Sequence, residues 1–253
     1  MKKIVIVGGV AGGASAAARI RRLDEQAQIV MFEKGPHVSF SNCSLPFYLS
    51  GVVADSKRLV MMNPNSFEAK YNIDARVNSE VIAINRTEKT VTVKDVLTGE
   101  QFTESYDHLV LSPGASPIVP NIDGKNLAHV FTVRNVVDIE RLHNAIVEQD
   151  AQSIAVIGGG FIGVEVAENL RLAGRNVTLV QSAPQILTPF DEDMVQILHK
   201  EMIDHGVELI TGDGLAEITT ESITLRSGKQ VAADLVVLAV GVRPETTLAV
   251  EAG

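Results

Sequence analysis

The chain predicts an α/β protein that uses one nucleotide-binding plan twice, and three observations predict it. Strand-like apolar runs end in glycines at two places 150 residues apart (158 − 8): Lys3-Ile4-Val5-Ile6-Val7-Gly8-Gly9 and Ser153-Ile154-Ala155-Val156-Ile157-Gly158-Gly159. Each is followed by a helical pattern and a second apolar run, which makes a β-α-β unit and demands parallel pairing. Each half then carries β-rich sequence with glycine turns before a closing apolar strand. The fold class expected is therefore α/β, with two Rossmann-like dinucleotide-binding domains, parallel sheets and β-meander insertions.

In chain order, Lys3–Val7 is the first strand and Gln28–Phe32 its parallel neighbour. Val81–Asn85 and Thr90–Lys94 form the first meander, and His108–Leu111 returns to the sheet before Ser112-Pro113-Gly114. The stretch Pro113–Gly124 is rich in Pro and Gly, and Val136–Glu148 reads as a connecting helix. Ser153–Ile157 and Asn176–Val180 open the second unit, Glu217–Leu225 supplies its meander, and Asp234–Val240 closes it at Gly241. The boundaries expected are residues 1–115 for the first nucleotide-binding domain, 116–150 for a connector, 151–243 for the second nucleotide-binding domain, and 244–253 for the start of a return to the first domain.

Gly158-Gly159-Gly160-Phe161-Ile162-Gly163 fits G-x-G-x-x-G between a strand and a helix, the context in which the pattern means dinucleotide binding. The first glycine allows the turn, the second lets backbone approach a pyrophosphate, and the third lets helix and strand pack. The first unit reads Gly8-Gly9-Val10-Ala11-Gly12-Gly13, with Val10 where the middle glycine would fall. Glu33 ends the second strand 25 residues beyond Gly8 (33 − 8), placed to accept from ribose hydroxyls. Its counterpart is the uncharged Gln181, which leaves NADH and NADPH both open.

The formal net charge of −9 argues against a nucleic-acid surface. The opening Met1-Lys2-Lys3 and apolar run imitate a signal peptide, but glycines and Arg19, Arg21 and Arg22 follow, and no apolar run reaches membrane-spanning length. A cytoplasmic protein is expected, with neither membrane nor nucleic acid as partner. The six histidines show no ligand spacing with the single cysteine, so no metal is expected.

That cysteine, Cys43, lies ten residues past Glu33 (43 − 33) in the polar stretch Ser39-Phe40-Ser41-Asn42-Cys43-Ser44-Leu45-Pro46. A free cysteine is most often a small buried hydrophobe. Here the polar turn leads toward a short helix, whose positive end would favour a thiolate. A thiol near the first of two nucleotide folds suggests electrons running from nicotinamide through flavin to sulfur. On the helix after Gly13, Ser15, Arg19 and Arg22 fall at i, i+4 and i+7 and share a face that could grip a phosphate-bearing ligand; the plain alternative is a solvated helix face. Lys70 is a further basic candidate.

Ile4–Arg22, Phe32-Glu33-Lys34, the Asn-Cys-x-Leu-Pro context of Cys43, Gly158–Glu165 and Val240-Gly241-Val242-Arg243-Pro244 together resemble the single-cysteine branch of the pyridine nucleotide-disulfide oxidoreductases, nearest the coenzyme A-disulfide and NADH-dependent persulfide reductases. The resemblance spans essentially the whole chain. It implies FAD in the first fold, held by Gly8, Val10, Ala11, Gly12, Glu33, Lys34, Asn42, Val81, Ser112, Gly114 and Arg134. It implies NAD(P)H in the second, held by Gly158, Gly160, Ile162, Gly163, Gln181 and Gly241, with Phe161 and Glu165 flanking the nicotinamide. Ser15, Arg19, Arg22, Ser39 and Asn42 would contact coenzyme A, as substrate or as a mixed disulfide with the catalytic Cys43, while Lys70 is a substrate-binding candidate on its charge alone. The expected partner is thus a small-molecule thiol or disulfide. Members of the family continue past the equivalent of Gly253 through a second flavin-binding segment and a dimerisation domain, so a homodimer is implied for a full-length form. Two rivals stand beside this reading: an NADH oxidase or peroxidase cycling a Cys43 sulfenic acid, and a truncated, non-catalytic nucleotide-binding fragment.

Overall fold

The computed structural model describes residues 2–253 and has the predicted α/β character, with parallel sheets at its centre. Two compact units are present. One holds everything up to Ser41, together with Leu59–Ala115 and Pro244–Gly253; the other holds Asn42–Arg58 and Ser116–Arg243.

The chain begins with β1 (Lys3–Val7), α1 (Ala11–Leu23) and β2 (Gln28–Phe32), then passes a 3-10 turn at Asn42–Ser44 into α2 (Leu45–Leu49). Next come α3 (Pro64–Tyr71), β3 (Ile73–Arg76), β4 (Ser79–Asn85), β5 (Thr90–Asp95), β6 (Gln101–Ser105) and β7 (His108–Leu111). After β8 (Ala115–Pro117) and β9 (Val130–Thr132) follow α4 (Val136–Glu148), β10 (Ser153–Ile157), α5 (Phe161–Leu172), β11 (Asn176–Gln181) and α6 (Glu192–Asp204). The last elements are β12 (Val207–Thr211), β13 (Leu215–Ile218), β14 (Ser222–Leu225), β15 (Gln230–Ala232), β16 (Leu235–Leu238), β17 (Val242–Pro244) and α7 (Thr247–Ala252).

In the first unit the parallel sheet runs β3-β2-β1-β7, with Val5 opposite Val30 on one side and Leu109 on the other. Successive side chains of a strand point to opposite faces, so an apolar run buries both. Ile4, Ile6, Ile29 and Met31 join Ala17 of α1 and Phe67 of α3 in one core, while Val5, Val7, Val30 and Phe32 meet Val81, Val91 and Val93 of the β4-β5-β6 meander in another. Phe32 is 1% exposed, and truncating such a side chain to Ala costs about 3–5 kcal/mol.

The second unit repeats the plan. Its parallel sheet runs β12-β11-β10-β16-β9, and Ala155, Ile157, Val236 and Leu238 pack against Ile218, Ile223 and Leu225 of the antiparallel β13-β14-β15 meander. Helix α5 lies along β10 and β11, burying Val166, Ala167 and Leu170.

Candidate active site

Both sheets present a glycine loop at the carboxyl end of their central strand, where ligands of open α/β sheets bind. In the first unit Gly8 has φ +93°, and a Cβ there would overlap the Ser112 carbonyl. Ser112 is fixed by its N–H donating to the Val7 carbonyl at 2.7 Å, which brings the end of β7 under the loop. A Cβ on Gly13 would overlap the Gly8 carbonyl, and one on Gly12 would come within 3.1 Å of Ser112 Oγ. Val10 occupies the N-cap of α1, and Ala11 and Gly12 begin the helix exposed. No side chain caps the first turn of α1, whereas α3 and α4 are capped by Asn63 and Asn135. The Glu33 carboxylate grips the turn by accepting from the Gly9 N–H through Oε2 and the Gly35 N–H through Oε1, both at 2.8 Å. Beside it lies a cleft of about 310 Å³ lined by Gly8, Glu33, Lys34, Val81, Pro113 and residues of the C-terminal segment, among them Glu245 and Leu248. Gly114 lies just beyond, at φ +79°, its carbonyl accepting from the Glu245 N–H at 3.0 Å.

In the second unit Gly158 has φ +112° and backs onto the Ala239 carbonyl, and Gly163 packs on the Gly158 carbonyl. Gly160 differs: a Cβ there would meet nothing within 4 Å, so its bare face opens outward. Gln181 Oε1 accepts from the Gly159 N–H at 3.1 Å. Phe161 is 59% exposed and stands edge-on to Phe190, with ring centroids 6.1 Å apart. Ile162 is half-buried in the first turn of α5. One turn further along, burial first and the charge of Glu168 second hold the Glu165 carboxyl above the usual range. Gly241 is exposed at φ +126°.

Cys43 sits in the middle of the Asn42–Ser44 turn and is exposed, in contrast to the ordinary buried cysteine. The helix expected after it exists but spans only Leu45–Leu49, too short to carry much of a macrodipole. Side chains elsewhere in the second unit hold this turn and the helix that follows it. Arg134 Nη1 donates to Asn42 Oδ1 at 3.1 Å, so two residues expected at the flavin meet each other. Tyr48 lies 4.6 Å from the His143 ring, and Ser50 Oγ donates to Asn169 Oδ1 at 2.6 Å. Asn169 is fully buried, and its Nδ2 donates to the Glu165 carbonyl at 2.8 Å, joining α2 to α5.

On α1, Ser15, Arg19 and Arg22 are all exposed, and among the described residues neither Arg19 nor Arg22 has an ion-pair partner. Arg21 between them is structural: its guanidinium donates to the carbonyls of Tyr71, Asn72, Asp24 and Glu25. Ser39 is only 7% exposed and serves the loop through its backbone, its N–H donating to the Gly9 carbonyl at 2.8 Å. Lys70 is exposed in the last turn of α3, where it meets the negative end of the helix.

With two such loops and one exposed thiol in view, comparison with known proteins is decisive. A family model described as pyridine nucleotide-disulphide oxidoreductase matches residues 2–253. The chain belongs to the pyridine nucleotide-disulphide oxidoreductase family. Within that family it is 36% identical over 246 residues to the coenzyme A disulfide reductase of Staphylococcus haemolyticus, covering 97% of this chain and 55% of that protein. A crystal structure of reduced Bacillus anthracis CoADR-RHD superposes with a TM-score of 0.97 at 47% identity, over 100% of this chain and 46% of that one. A water-forming NADH oxidase from Lactobacillus brevis bound to NADH matches with a TM-score of 0.90 at 33% identity, over 99% of this chain and 56% of that one. The chain thus spans about half the length of the relatives it matches.

The brace around Cys43 was not foreseen. Asn169 falls among the buried positions Val166, Ala167 and Leu170 of α5, and a polar residue on the buried face of a helix is the signal that could have marked it. Tyr48 and His143 carry no such mark, because an aromatic ring contact between helices leaves no pattern in either.

Proposed function

We propose that this chain forms the FAD- and NAD(P)H-binding part of a reductase that acts on coenzyme A disulfide or persulfide through Cys43. The observation that carries the reading is a sole, solvent-exposed thiol on a braced turn, in a family member with two glycine loops.

The residues of the first loop suit FAD. Backbone packing at Gly8 and Gly13, an α1 first turn with no side-chain cap, and a carboxylate at the rim of a cleft are what a flavin's pyrophosphate and ribose need. Those of the second suit NAD(P)H, since the bare face of Gly160 allows close approach of a pyrophosphate, Gln181 adds no charge against a 2′-phosphate, and Phe161 and Glu165 follow on α5. When bound, the two cofactors supply a two-electron relay to sulfur.

Cys43 does the covalent work. Its thiolate attacks one sulfur of the disulfide, the S–S bond breaks, a Cys43–S–S–coenzyme A bond forms, and one coenzyme A leaves as thiolate. Two electrons and a proton then cleave the mixed disulfide, restoring the Cys43 thiolate and releasing the second coenzyme A as thiol. No second protein cysteine is needed. Ser15, Arg19 and Arg22 offer a cationic face for the phosphates of coenzyme A, and this separates the reading from an oxidase or peroxidase, whose small oxidants have no phosphate to hold.

Anaerobic titration of the FAD-reconstituted protein with NADH and NADPH, followed by coenzyme A disulfide, tests the proposal. Replacing both Arg19 and Arg22 by Ala should raise KM for coenzyme A disulfide by at least tenfold and leave flavin reduction intact, each charge-assisted bond being worth about 1.5–3 kcal/mol. Cys43→Ser should abolish disulfide reduction. A double arginine variant that reduces coenzyme A disulfide like the wild type puts the oxidase or peroxidase reading ahead.

A further inference from the structure

The segment 182–191, which joins β11 to α6, is part of the second glycine loop's construction. Ile186 is fully buried, and its Cγ2 lies 2.6 Å from where a Cβ on Gly159 would stand. The Leu187 N–H donates to the Gly159 carbonyl at 2.7 Å, with Leu187 held at φ +45°. A branched side chain in left-handed backbone persists only where its surroundings over-determine it. Within the segment the Phe190 N–H donates to the Leu187 carbonyl and Gln185 Nε2 to the Phe190 carbonyl, both at 2.9 Å. From outside the segment, His199 of α6 reaches in: its Nε2 accepts from the Ile186 N–H at 3.2 Å.

We infer that His199 is a positioning residue for the nicotinamide nucleotide, holding the 182–191 segment in the form that shapes the Gly158–Gly160 loop before the ligand arrives. The inference rests on the reading of this unit as the NAD(P)H-binding one. An imidazole nitrogen accepts only when it carries no proton, so the ring is neutral with its proton on Nδ1. Burial holds the His199 pKa below the usual histidine range, which maintains that form. A protein whose binding-competent state is only partly populated loses affinity in proportion, so removing the tether weakens binding without removing a ligand contact.

The test is isothermal titration of NADH and NADPH into the 253-residue chain, its His199→Phe variant and its His199→Gln variant. His199→Phe fills the space but accepts nothing, and should weaken both nucleotides about tenfold while speeding hydrogen exchange at the Ile186 amide. His199→Gln offers an amide oxygen at about the same reach and should recover most of the affinity. Unchanged affinity in His199→Phe, or a His199→Gln variant as weak as His199→Phe, overturns the inference while nucleotide binding by the wild type keeps the functional reading intact. A wild type that binds neither nucleotide overturns that reading and the inference together. Should His199→Phe not fold, ¹⁵N spectra of wild-type His199 decide: an Nδ1–H tautomer supports the tether, and an Nε2–H or doubly protonated ring at neutral pH overturns it.

Discussion

The two glycine loops are one backbone frame built twice, and they part company in what is hung on it. In each, a side chain at the carboxyl end of the second strand accepts from the second glycine's N–H: Glu33, just past β2, from Gly9 at 2.8 Å, and Gln181, the last residue of β11, from Gly159 at 3.1 Å. In each, that glycine's carbonyl accepts from a residue in left-handed backbone, Ser39 at φ +49° or Leu187 at φ +45°. The preceding side chain, Val38 or Ile186, lies 2.6 Å from where the glycine's Cβ would stand. These pairs recur at an offset of 148 (181 − 33, 187 − 39) rather than the 150 of the glycines. The differences are chemical. The first frame carries a carboxylate and Val10, and past Ser39 its chain bridges Val60 through Phe40 and runs on to Cys43. The second carries a neutral amide and a bare Gly160, and past Leu187 its chain enters the helix that supplies His199. A frame made of backbone hydrogen bonds and close packing leaves the charge, the open face and the outgoing segment free to differ, so one plan can serve two ligands.

The strongest way to break the comparison is at Gly13 and Gly163, where a side chain would overlap the carbonyl of Gly8 or Gly158. Gly13→Val and Gly163→Val should each cost at least about 3 kcal/mol in urea unfolding, by forcing helix from strand. A large cost at one and none at the other would mean the frames are not equivalent.

Gly160→Val sharpens it next. With open space at its Cβ the variant should fold with nearly wild-type stability, yet lose about tenfold or more in NAD(P)H affinity and keep its flavin content. Equal loss of flavin and nicotinamide would contradict two separate sites. A smaller effect is expected of Gln181→Glu, which retains an acceptor for the Gly159 N–H and adds the charge of Glu33. Preference should shift toward NADH by about 1–3 kcal/mol, read as the ratio of dissociation constants for NADPH and NADH. An unchanged ratio would mean that position 181 does not face the ribose.

Much of this was legible in the sequence because it rests on composition and period. Continuous apolar runs before glycines, as in β1 and β10, have few other uses, and α4 matches its expected bounds because Asn135 caps an amphipathic stretch. The strands not singled out, β3, β6, β8, β9, β12, β15 and β17, all lie at sheet edges, where short mixed runs such as Gln101–Ser105 need no apolar pattern. The repeat of Ser39 in Leu187 was hidden for a physical reason: a backbone amide and a positive φ do the work, and two unlike side chains can supply both. Cys43 was visible as a lone thiol in a polar turn. Its brace was not, because Asn42–Arg134 and Ser50–Asn169 join residues 92 and 119 apart in sequence.

Intact-protein mass spectrometry tests the proposed exchange between Cys43 and coenzyme A disulfide, and the proposed part of Arg19 and Arg22 in it, on this chain without any cofactor. Incubated anaerobically with coenzyme A disulfide, the wild type should gain one coenzyme A at Cys43, Cys43→Ser should gain none, and the variant with Arg19 and Arg22 replaced by Ala should react about tenfold more slowly. Cystamine, which has no phosphate, should show no such difference between wild type and the double variant. Absence of the adduct, or equal slowing with cystamine, would contradict the account.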